Sequence, residues 1–366
     1  MPSGGWYEAF SKGFQEETRV IKVLVVEDSS VVRDFLVYVL GSDPDLDIVG
    51  TARDGEEALD AVRRYRPDVI TMDLHMPKMD GLEATRRIME TMPTPIVIVS
   101  GSHDAKELAA TFKAIEAGAL TVMATPKGMG HPHHASTAKE LVQAVKLMSE
   151  IKLVRRWPRT NNKTGALPET IAPSAPARIR VVAIGASTGG PPAIQTVLGR
   201  LSKEFPLPVL IVQHMTASFT EGFVEWLRPA IKLPIQVARN HEVMKPGHVY
   251  VAPDGFQMKV SYGDIIVLTT DPPESGSRPS ASYLFRSVAE VYGGEVIAGL
   301  LSGMGRDGAQ ALQLLREKGA ITFAQDEASS VVHGMPGEAI RLHAAMHVLP
   351  LDKIAEMVIA AAHRRS

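Results

Sequence analysis

Residues 180–194 read RVVAIGASTGGPPAI, an apolar, β-rich run that passes through a turn of small residues into a segment opening with two prolines. Proline is favoured in the first turn of a helix, because the N–H that it lacks would have no helical partner there. The stretch therefore predicts a buried strand, a tight turn and a helix, which is the repeating unit of a parallel α/β sheet.

The same alternation continues from this stretch to the end of the chain. Residues 258–268, MKVSYGDIIVL, predict a hairpin that turns at Gly263 and Asp264. We expect residues 179–366 to form a Rossmann-like, doubly wound parallel-sheet domain with this hairpin and a final amphipathic helix from about Leu351. The other predicted strands are PVLIVQH (208–214), IQVAR (235–239), HVYVAP (248–253), VIAGLLSG (296–303) and ITFAQD (321–326).

An upstream region, residues 21–150, shows a similar alternation of short apolar runs and helical patterns. Near-continuous apolar runs are typical of parallel strands that helices cover on both faces. Five strand–helix units predict a doubly wound parallel sheet of the flavodoxin-like kind. The five predicted strands are IKVLVV (21–26), DIVGTA (47–52), DVITMD (68–73), PIVIVS (95–100) and LTVMAT (120–125).

Two segments lack apolar periodicity. Residues 151–178 are rich in Pro, Asn, Thr and Ala, and we interpret them as a linker between the two α/β domains. Residues 1–20 contain three glutamates and no continuous apolar stretch, so they do not resemble a signal peptide. We expect residues 1–20 to be a disordered extension.

The composition argues against several classes of protein. The 366 residues carry a formal net charge of −2, with no long block of one sign, so neither nucleic acid nor an anionic membrane is an expected partner. The absence of cysteine excludes disulfides, thiol catalysis and cysteine-ligated zinc, and fits a cytoplasmic location. Because the sequence lacks a run of about 18 apolar residues, we expect no membrane insertion.

Three acidic residues follow strands of the first predicted domain. Glu27 and Asp28 end the first strand, and Asp73 ends the third. Because the carboxyl ends of parallel strands meet at one edge of a sheet, these carboxylates should converge there. Their mutual repulsion requires a cation, and oxygen ligands favour Mg²⁺. A carboxylate beside Mg²⁺ can accept a phosphoryl group, and Ser100, at the end of the fourth strand, is placed to hydrogen-bond that group.

These residues lie in motifs that resemble the receiver domain of two-component response regulators. The motifs are VLVVED at 23–28, MDLHMPKMDG at 72–81, VIVSG at 97–101 and EAGA at 116–119. The resemblance implies that Asp73 is the phosphoacceptor and that Glu27 and Asp28 bind the metal with it. It also implies that Ser100 is the switch hydroxyl and that a cognate histidine kinase is the phosphodonor. Thr125 stands where the family usually has a lysine, and a lysine follows two positions later.

The opening stretch carries the pattern G-x-S-x-G as Gly185, Ser187 and Gly189. A serine on a tight strand-to-helix turn projects its hydroxyl above the sheet, beside the positive end of a helix. Glycine-rich turns of this kind also bind phosphate in other proteins. The motif alone therefore leaves a serine nucleophile and a phosphate site as alternatives.

A serine nucleophile needs a base, and the base needs an acid that orients it. Among 12 histidines, His214 is the best candidate base, because it ends the next predicted strand and so shares the sheet edge with Ser187. Asp307 lies just past a later strand, within SGMGRDGA at 302–309. Backbone amides around Met304, in the same turn, are candidates for binding an oxyanion.

The second region resembles the catalytic domain of chemotaxis protein-glutamate methylesterases over residues 179–350. The motifs are IGASTGGP (184–191), IVQHM (211–215), VYVAPDGF (249–256), SG-M-G-x-DG (302–308) and AQDEASSVVHGMP (324–336). The resemblance implies a catalytic triad of Ser187, His214 and Asp307. It implies that the backbone N–H of Met304 contributes to the oxyanion site.

The same resemblance implies a reaction and a substrate. The expected activity is hydrolysis of glutamate methyl esters on methylated chemoreceptors, with release of methanol through an acyl-enzyme. Glutamine deamidation is a second activity in some members of the family. Ester hydrolysis itself is expected to need no cofactor, in contrast to phosphorylation of the receiver-like domain.

Two other classes of function fit the sequence less well. A response regulator with a DNA-binding output should end in a compact basic module, whereas residues 179–366 form a glycine-rich α/β pattern. A catalytically inactive binding module would use the receiver as a docking switch. The complete set of Ser187, His214 and Asp307 favours an enzyme under phosphorylation control.

Overall fold

The computed structural model describes residues 20–101, 105–151, 178–216 and 218–363, without the side chains of 105–110. The predicted extension at 1–20 and the predicted linker at 151–178 lie almost entirely outside these ranges. No helix within them is both long enough and apolar enough to cross a lipid bilayer.

Five parallel strands form the first sheet. They are β1 (Ile21–Val26), β2 (Leu46–Ala52), β3 (Val69–Met72), β4 (Ile96–Ser100) and β5 (Thr121–Ala124). Their spatial order, β2-β1-β3-β4-β5, is that of a flavodoxin-like sheet. The order reverses between β1 and β3, which is where the predicted acidic residues lie.

Helices pack on both faces of this sheet, as the apolar strands predict. The helices are α1 (Ser30–Gly41), α2 (Gly55–Tyr65), α3 (Gly81–Thr91), α4 (Ala105–Glu116) and α5 (His134–Ser149). Alternate residues of β1 point to opposite faces: Leu24 is buried in one apolar cluster with α2 and α3, and Val23 in another with α1 and α5. We refer to this sheet and its helices as the first domain.

Ten further strands follow in the remainder of the described chain. They are β6 (Val181–Ala186), β7 (Val209–Gln213), β8 (Ile235–Val237), β9 (Glu242–Val243), β10 (Val249–Val251), β11 (Gln257–Ser261), β12 (Ile265–Thr269), β13 (Val296–Leu300), β14 (Ile321–Gln325) and β15 (His347–Leu349). Seven of them form a parallel sheet in the order β15-β14-β13-β6-β7-β10-β8. Because β6 lies between β13 and β7, the turns after these three strands are neighbours at one edge.

Six helices accompany these strands and complete what we call the second domain. They are α6 (Gly190–Leu198), α7 (Thr220–Leu227), α8 (Ala281–Tyr292), α9 (Ala309–Glu317), α10 (Met335–Arg341) and α11 (Leu351–Ala362). The predicted hairpin is present as the antiparallel pair β11–β12, and β9 joins it as a third strand. Gly263 and Asp264 both adopt positive φ in its turn, at 84° and 61°.

Candidate active site

Ser187 lies directly after β6, on the turn that leads into α6. Gly189 adopts a φ of 74° in this turn, and a Cβ at that position would lie 2.5 Å from the side chain of Val331. The position therefore requires glycine. The Ser187 N–H donates to the carbonyl of Ser302 at 3.0 Å, which fixes the turn to the end of β13. Ser187 is partly exposed at the carboxyl edge of the sheet.

His214 and Asp307 come from the strands on either side of β6. His214 follows β7, Asp307 lies in the turn after β13, and His214 Nε2 is 2.9 Å from Asp307 Oδ2. This contact leaves Nδ1 as the ring nitrogen available toward the serine. Ser187 and His214 line the same cavity, although no hydrogen bond between the serine hydroxyl and the ring is found in the described part of the chain. The structure thus brings the three predicted residues to one edge.

The carboxylate of Asp307 is buried at the N-terminus of α8. Oδ1 accepts hydrogen bonds from Ser280 Oγ at 2.8 Å and from the Ser282 N–H at 3.0 Å, and Oδ2 accepts one from the Ala281 N–H at 2.6 Å. Burial by itself raises the pKa of this carboxyl, but the hydrogen bond and charge of His214, with the serine hydrogen bonds, lower the pKa to about 2. Asp307 therefore remains ionised and can stabilise a positive charge on His214.

Ser280 and Ser282 were not predicted as site residues. Ser280 is the N-cap of α8, where its hydroxyl also accepts from the Tyr283 N–H at 3.3 Å. A serine ahead of a periodic apolar segment signals a helix start. The sequence therefore predicts a helix that starts near Ser280, but it does not show that the start of this helix binds the carboxylate of Asp307.

The turn that contains Met304 passes beside the serine. A Cβ on Gly303 would lie 2.9 Å from the Cβ of Ser187 and 3.0 Å from its backbone nitrogen, so glycine permits this close approach. Gly305, on the other side of Met304, adopts a φ of 81°. The turn predicted to bind an oxyanion and the predicted nucleophile are therefore direct neighbours.

Glu27, Asp28 and Asp73 converge at the edge of the first sheet. One carboxylate oxygen from each lies within 4.8 Å of the others. Burial, and then the charge of Asp73, raises the pKa of Glu27 to about 7, and burial also raises the pKa of Asp73. Crowded carboxylates that resist ionisation together fit a hard divalent cation such as Mg²⁺.

Arg33 is a basic residue beside this cluster that sequence reasoning missed. Its Nη1 donates to the backbone carbonyls of Glu27 at 2.8 Å and of Asp28 at 3.2 Å. The guanidinium therefore fixes the backbone that carries both acids. Its position on α1, five residues after Asp28, could have suggested a contact with the end of β1, but not with these carbonyls.

Ser100 and Thr125 lie side by side at the ends of β4 and β5. Ser100 is buried, and its carbonyl accepts from the Thr125 N–H at 2.9 Å. Lys127 is exposed, and its N–H donates to the Thr137 hydroxyl at 3.0 Å. The backbone of this lysine is thus fixed to α5, two residues beyond the strand end where the receiver family usually has its lysine.

The first domain contacts the second next to the serine. The ring of Phe112 on α4 lies 5.5 Å from the rings of both Phe223 and Trp226 on α7. Glu116, at the end of α4, accepts from Trp226 Nε1 at 3.0 Å and from Gln195 Nε2 at 3.2 Å. The contact is therefore an aromatic cluster with a hydrogen-bonded carboxylate at its side.

The cavity beside the serine lies at this contact and is lined by both domains. Ser187 and His214 line it from the second domain, and residues of α4, of β5 and of the position just before β5 line it from the first. The residues from the first domain are Phe112, Ile115, Leu120, Thr121 and Val122. Thr216, two residues after His214, also donates to the sulfur of Met123 at 3.4 Å. The first domain thus covers the edge that carries the candidate nucleophile and base.

Comparison with known proteins gives matches to both halves of the chain. The family model for CheB methylesterase matches residues 182–358, and the model for the response regulator receiver domain matches residues 23–131. A protein-glutamate methylesterase/protein-glutamine glutaminase of Nitrosospira multiformis is 63% identical over 340 residues, which cover 92% of this chain and 95% of that protein.

Two further matches extend the comparison. A relative from Geobacter metallireducens, named protein-glutamate methylesterase/protein-glutamine glutaminase 4, is 55% identical over 336 residues, covering 92% of this chain and 97% of that protein. The crystal structure of the Thermotoga maritima CheB methylesterase catalytic domain is 34% identical, covers 50% of this chain and 98% of that chain, and gives a TM-score of 0.49.

Proposed function

Because the chain belongs to the CheB family of protein-glutamate methylesterases with a receiver domain, we propose that it hydrolyses glutamate methyl esters on chemoreceptors and releases methanol. One observation carries the proposal: Ser187 and His214 line one cavity, and His214 is hydrogen-bonded to the buried, ionised Asp307. The name of its relatives also includes glutaminase. Deamidation of receptor glutamines is accordingly proposed as a second activity, since an amide can form the same acyl-enzyme.

In the proposed reaction, His214 takes the hydroxyl proton of Ser187 as the serine oxygen attacks the ester carbonyl. Backbone amides of the turn at Met304 bind the resulting oxyanion. His214 then donates the proton to the departing methoxide, methanol leaves, and a glutamyl ester on Ser187 remains. A water molecule, deprotonated by His214, hydrolyses this ester and restores the free serine.

Asp307 supports this sequence without exchanging a proton. Its bond to Nε2 fixes the orientation of the His214 ring and leaves Nδ1 as the nitrogen that would accept the serine proton. Because the pKa of Asp307 is lowered to about 2, the carboxylate stays charged while the imidazolium forms beside it. The donors from α8 keep the carboxylate in place during each proton transfer.

We further propose that phosphorylation of Asp73 by a cognate histidine kinase controls this site. Glu27, Asp28 and Asp73 would hold Mg²⁺, which supplies the positive charge that an incoming phosphoryl group needs. Ser100, buried at the end of β4, is the proposed switch hydroxyl. Phosphorylation adds about two negative charges at Asp73 and can bias the arrangement of Ser100 and the loop after β4.

The contact between the domains supports inhibition in the unphosphorylated state. Phe112 and its neighbours cover the cavity that Ser187 and His214 line. Both domains belong to one chain, so the effective concentration of the first domain near the second is on the order of millimolar. Even a weak contact between them is therefore populated. A change of a few kcal/mol in the relative stability of the covered and uncovered states is enough to shift their populations.

A methanol-release assay tests the proposed function. Methylated chemoreceptors in membranes are incubated with the full-length protein, Mg²⁺ and a small phosphodonor, and methanol is measured over time. Release that requires the protein supports the proposal. A folded protein that releases neither methanol from methylated receptors nor ammonia from receptor glutamines would contradict it.

A further inference from the structure

Gln213 joins the backbone that carries the nucleophile to the backbone that carries the base. It is the last residue of β7 and is 3% exposed. Its Nε2 donates one hydrogen bond to the carbonyl of Ser187 and one to the carbonyl of His214, each at 2.8 Å. Both hydrogens of the side-chain amide are therefore used in connecting the two catalytic segments.

The side chain of Gln213 links the segments after β6 and β7 beyond the last backbone hydrogen bond between these strands. The last backbone bond between β6 and β7 runs from the His214 N–H to the carbonyl of Ala186 at 2.9 Å. One residue further, the chain after β6 turns into α6, and the chain after β7 leaves the sheet. The amide of Gln213 provides the next cross-link, at the level where Ser187 and His214 must face each other.

The carbonyl oxygen of the Gln213 side chain makes this residue less favourable for stability than an apolar one. Oε1 of Gln213 is buried and has no hydrogen-bond partner among the described residues. A buried, unpaired carbonyl destabilises a fold, whereas an apolar side chain of similar length would not carry this penalty. The amide therefore contributes through its two donated bonds rather than by filling space.

Gly190 makes room for this amide. A Cβ at residue 190 would lie 2.1 Å from Oε1 of Gln213, far inside van der Waals contact. Gly190 is the first residue of α6, directly after the turn that carries Ser187. Glycine at this position and glutamine at 213 thus form a matched pair.

We propose that Gln213 is a positioning residue that sets the separation of Ser187 and His214. The inference rests on the proposed function, in which the serine hydroxyl must transfer its proton to the ring. Proton transfer needs the two groups within hydrogen-bond reach, and small displacements of reacting groups reduce rates steeply. Gln213 acts on the reaction by fixing the two backbone segments and takes no part in the proton transfer itself.

The substitution Gln213→Met tests this proposal, because it keeps the length of the side chain and removes both donated bonds. Initial rates of methanol release are measured in the full-length protein, with Mg²⁺ and a phosphodonor, over a range of methylated receptor concentrations. We expect kcat to fall roughly 10- to 100-fold. KM should stay close to the wild-type value, because Gln213 is 3% exposed and its side chain donates both of its amide hydrogens to the protein backbone.

Thr322→Val is the matched control for a general loss of stability. Thr322 is fully buried near the start of β14, at the opposite end of the same sheet, where its hydroxyl donates to the Ala344 carbonyl at 2.7 Å and accepts from the Met346 N–H at 3.0 Å. This variant also loses two buried hydrogen bonds. Its melting temperature should fall by an amount similar to that of Gln213→Met, while kcat of the folded protein stays unchanged.

A second variant keeps the proposal testable if the Gln213→Met protein does not fold. Gly190→Ala retains the amide but displaces it, and the new Cβ would also lie 2.8 Å from the Cβ of Ala186, so kcat should fall with little change in KM. Combined with Gln213→Met, the loss of kcat should be smaller than the product of the two single losses, because both changes act on the contact between residue 190 and the amide. If Gln213→Met does not fold, Gly190→Ala decides the question by the same measurement.

The outcomes separate this proposal from the proposed function. An active wild-type protein together with a folded Gln213→Met protein of unchanged kcat would overturn the positioning role alone. A decrease in kcat that Thr322→Val reproduces would do the same, because it would reflect stability only. A wild-type protein without esterase activity would contradict the proposed function and, with it, this inference.

Discussion

The two sheet edges of this protein have the same construction and opposite electrostatics. Each places acidic residues just past the carboxyl ends of parallel strands. In the second domain, three groups of α8 and His214 donate to Asp307, and its pKa falls to about 2. In the first domain, burial and the charge of Asp73 raise the pKa of Glu27 to about 7.

This difference in electrostatics suggests a different role for each of the two sites. The carboxylate of Asp307 receives its hydrogen bonds from the protein itself, which supports the proposal that the second site is preorganised and is controlled by covering it. Glu27 and Asp73 repel each other, which supports the proposal that the first site needs added positive charge and responds to what binds there. We therefore interpret the acidic edge as the input of the protein and the serine edge as its output.

The largest effect should follow removal of the nucleophile at the preorganised edge. We expect Ser187→Ala to lower kcat for methanol release by roughly 10⁴-fold or more, because the acyl-enzyme cannot form. Ser202→Ala is the matched control, since this serine is exposed and its hydroxyl accepts only a local hydrogen bond from the Glu204 N–H. Near-normal turnover by a folded Ser187→Ala protein would refute the assignment of the nucleophile.

A smaller loss should follow replacement of the acid that orients the base. Asp307→Asn removes the charge beside His214 and turns an amide NH₂ toward donors such as the Ala281 N–H. We expect kcat to decrease by roughly 10³- to 10⁴-fold, less than for Ser187→Ala, because the acid is not consumed in the reaction. The same methanol assay measures this, and a variant as active as the wild type would show that Asp307 does not orient the base.

The acidic edge should depend on a cation in a way that the serine edge does not. With a labelled small phosphodonor, Asp73 should become phosphorylated in Mg²⁺, and a chelator or Asp73→Asn should reduce labelling to background. Asp80→Asn is the control, because Asp80 is an exposed cap whose carboxylate accepts from the Glu83 N–H at 2.8 Å. Labelling that persists in Asp73→Asn would exclude this residue as the phosphoacceptor.

The smallest of these effects concerns the contact between the two edges. Phe112→Ala removes the ring that packs against Phe223 and Trp226. It should raise methanol release without a phosphodonor by roughly 10-fold, since each 1.4 kcal/mol lost from a contact changes its population tenfold. Phe35→Ala is the control, because Phe35 lies on α1 beside His134. A basal rate unchanged by Phe112→Ala would show that this contact does not restrain the hydrolase.

Local patterns in the sequence were sufficient to predict most of the two sheets. Parallel strands buried on both faces appear as short apolar runs, and the carboxyl ends of adjacent strands must meet. These two rules bring Ser187, His214 and Asp307 together, and likewise the three acids. The strands β9, of two residues, and β15, of three residues, were not predicted.

The contacts between distant segments were not predictable in this way. Ser280 signals a helix start, but its bond to Asp307, 27 residues away, depends on how α8 packs against the sheet. Trp226 received no role from the sequence, because its partners Phe112 and Glu116 lie in the other domain. Local patterning determines each sheet, whereas the surface on which two sheets meet depends on shape and side chains together.

The central claim is that the acidic edge controls the serine edge, and one measurement tests it most directly. Methanol release from methylated receptor is compared for the full-length protein and for residues 179–366, each with and without Mg²⁺ and a phosphodonor, after circular dichroism shows that both are folded. We predict that the fragment is faster than the unphosphorylated full-length protein, and that the phosphodonor accelerates the full-length protein but not the fragment. Equal initial rates for the two proteins, unaffected by the phosphodonor, would contradict the account.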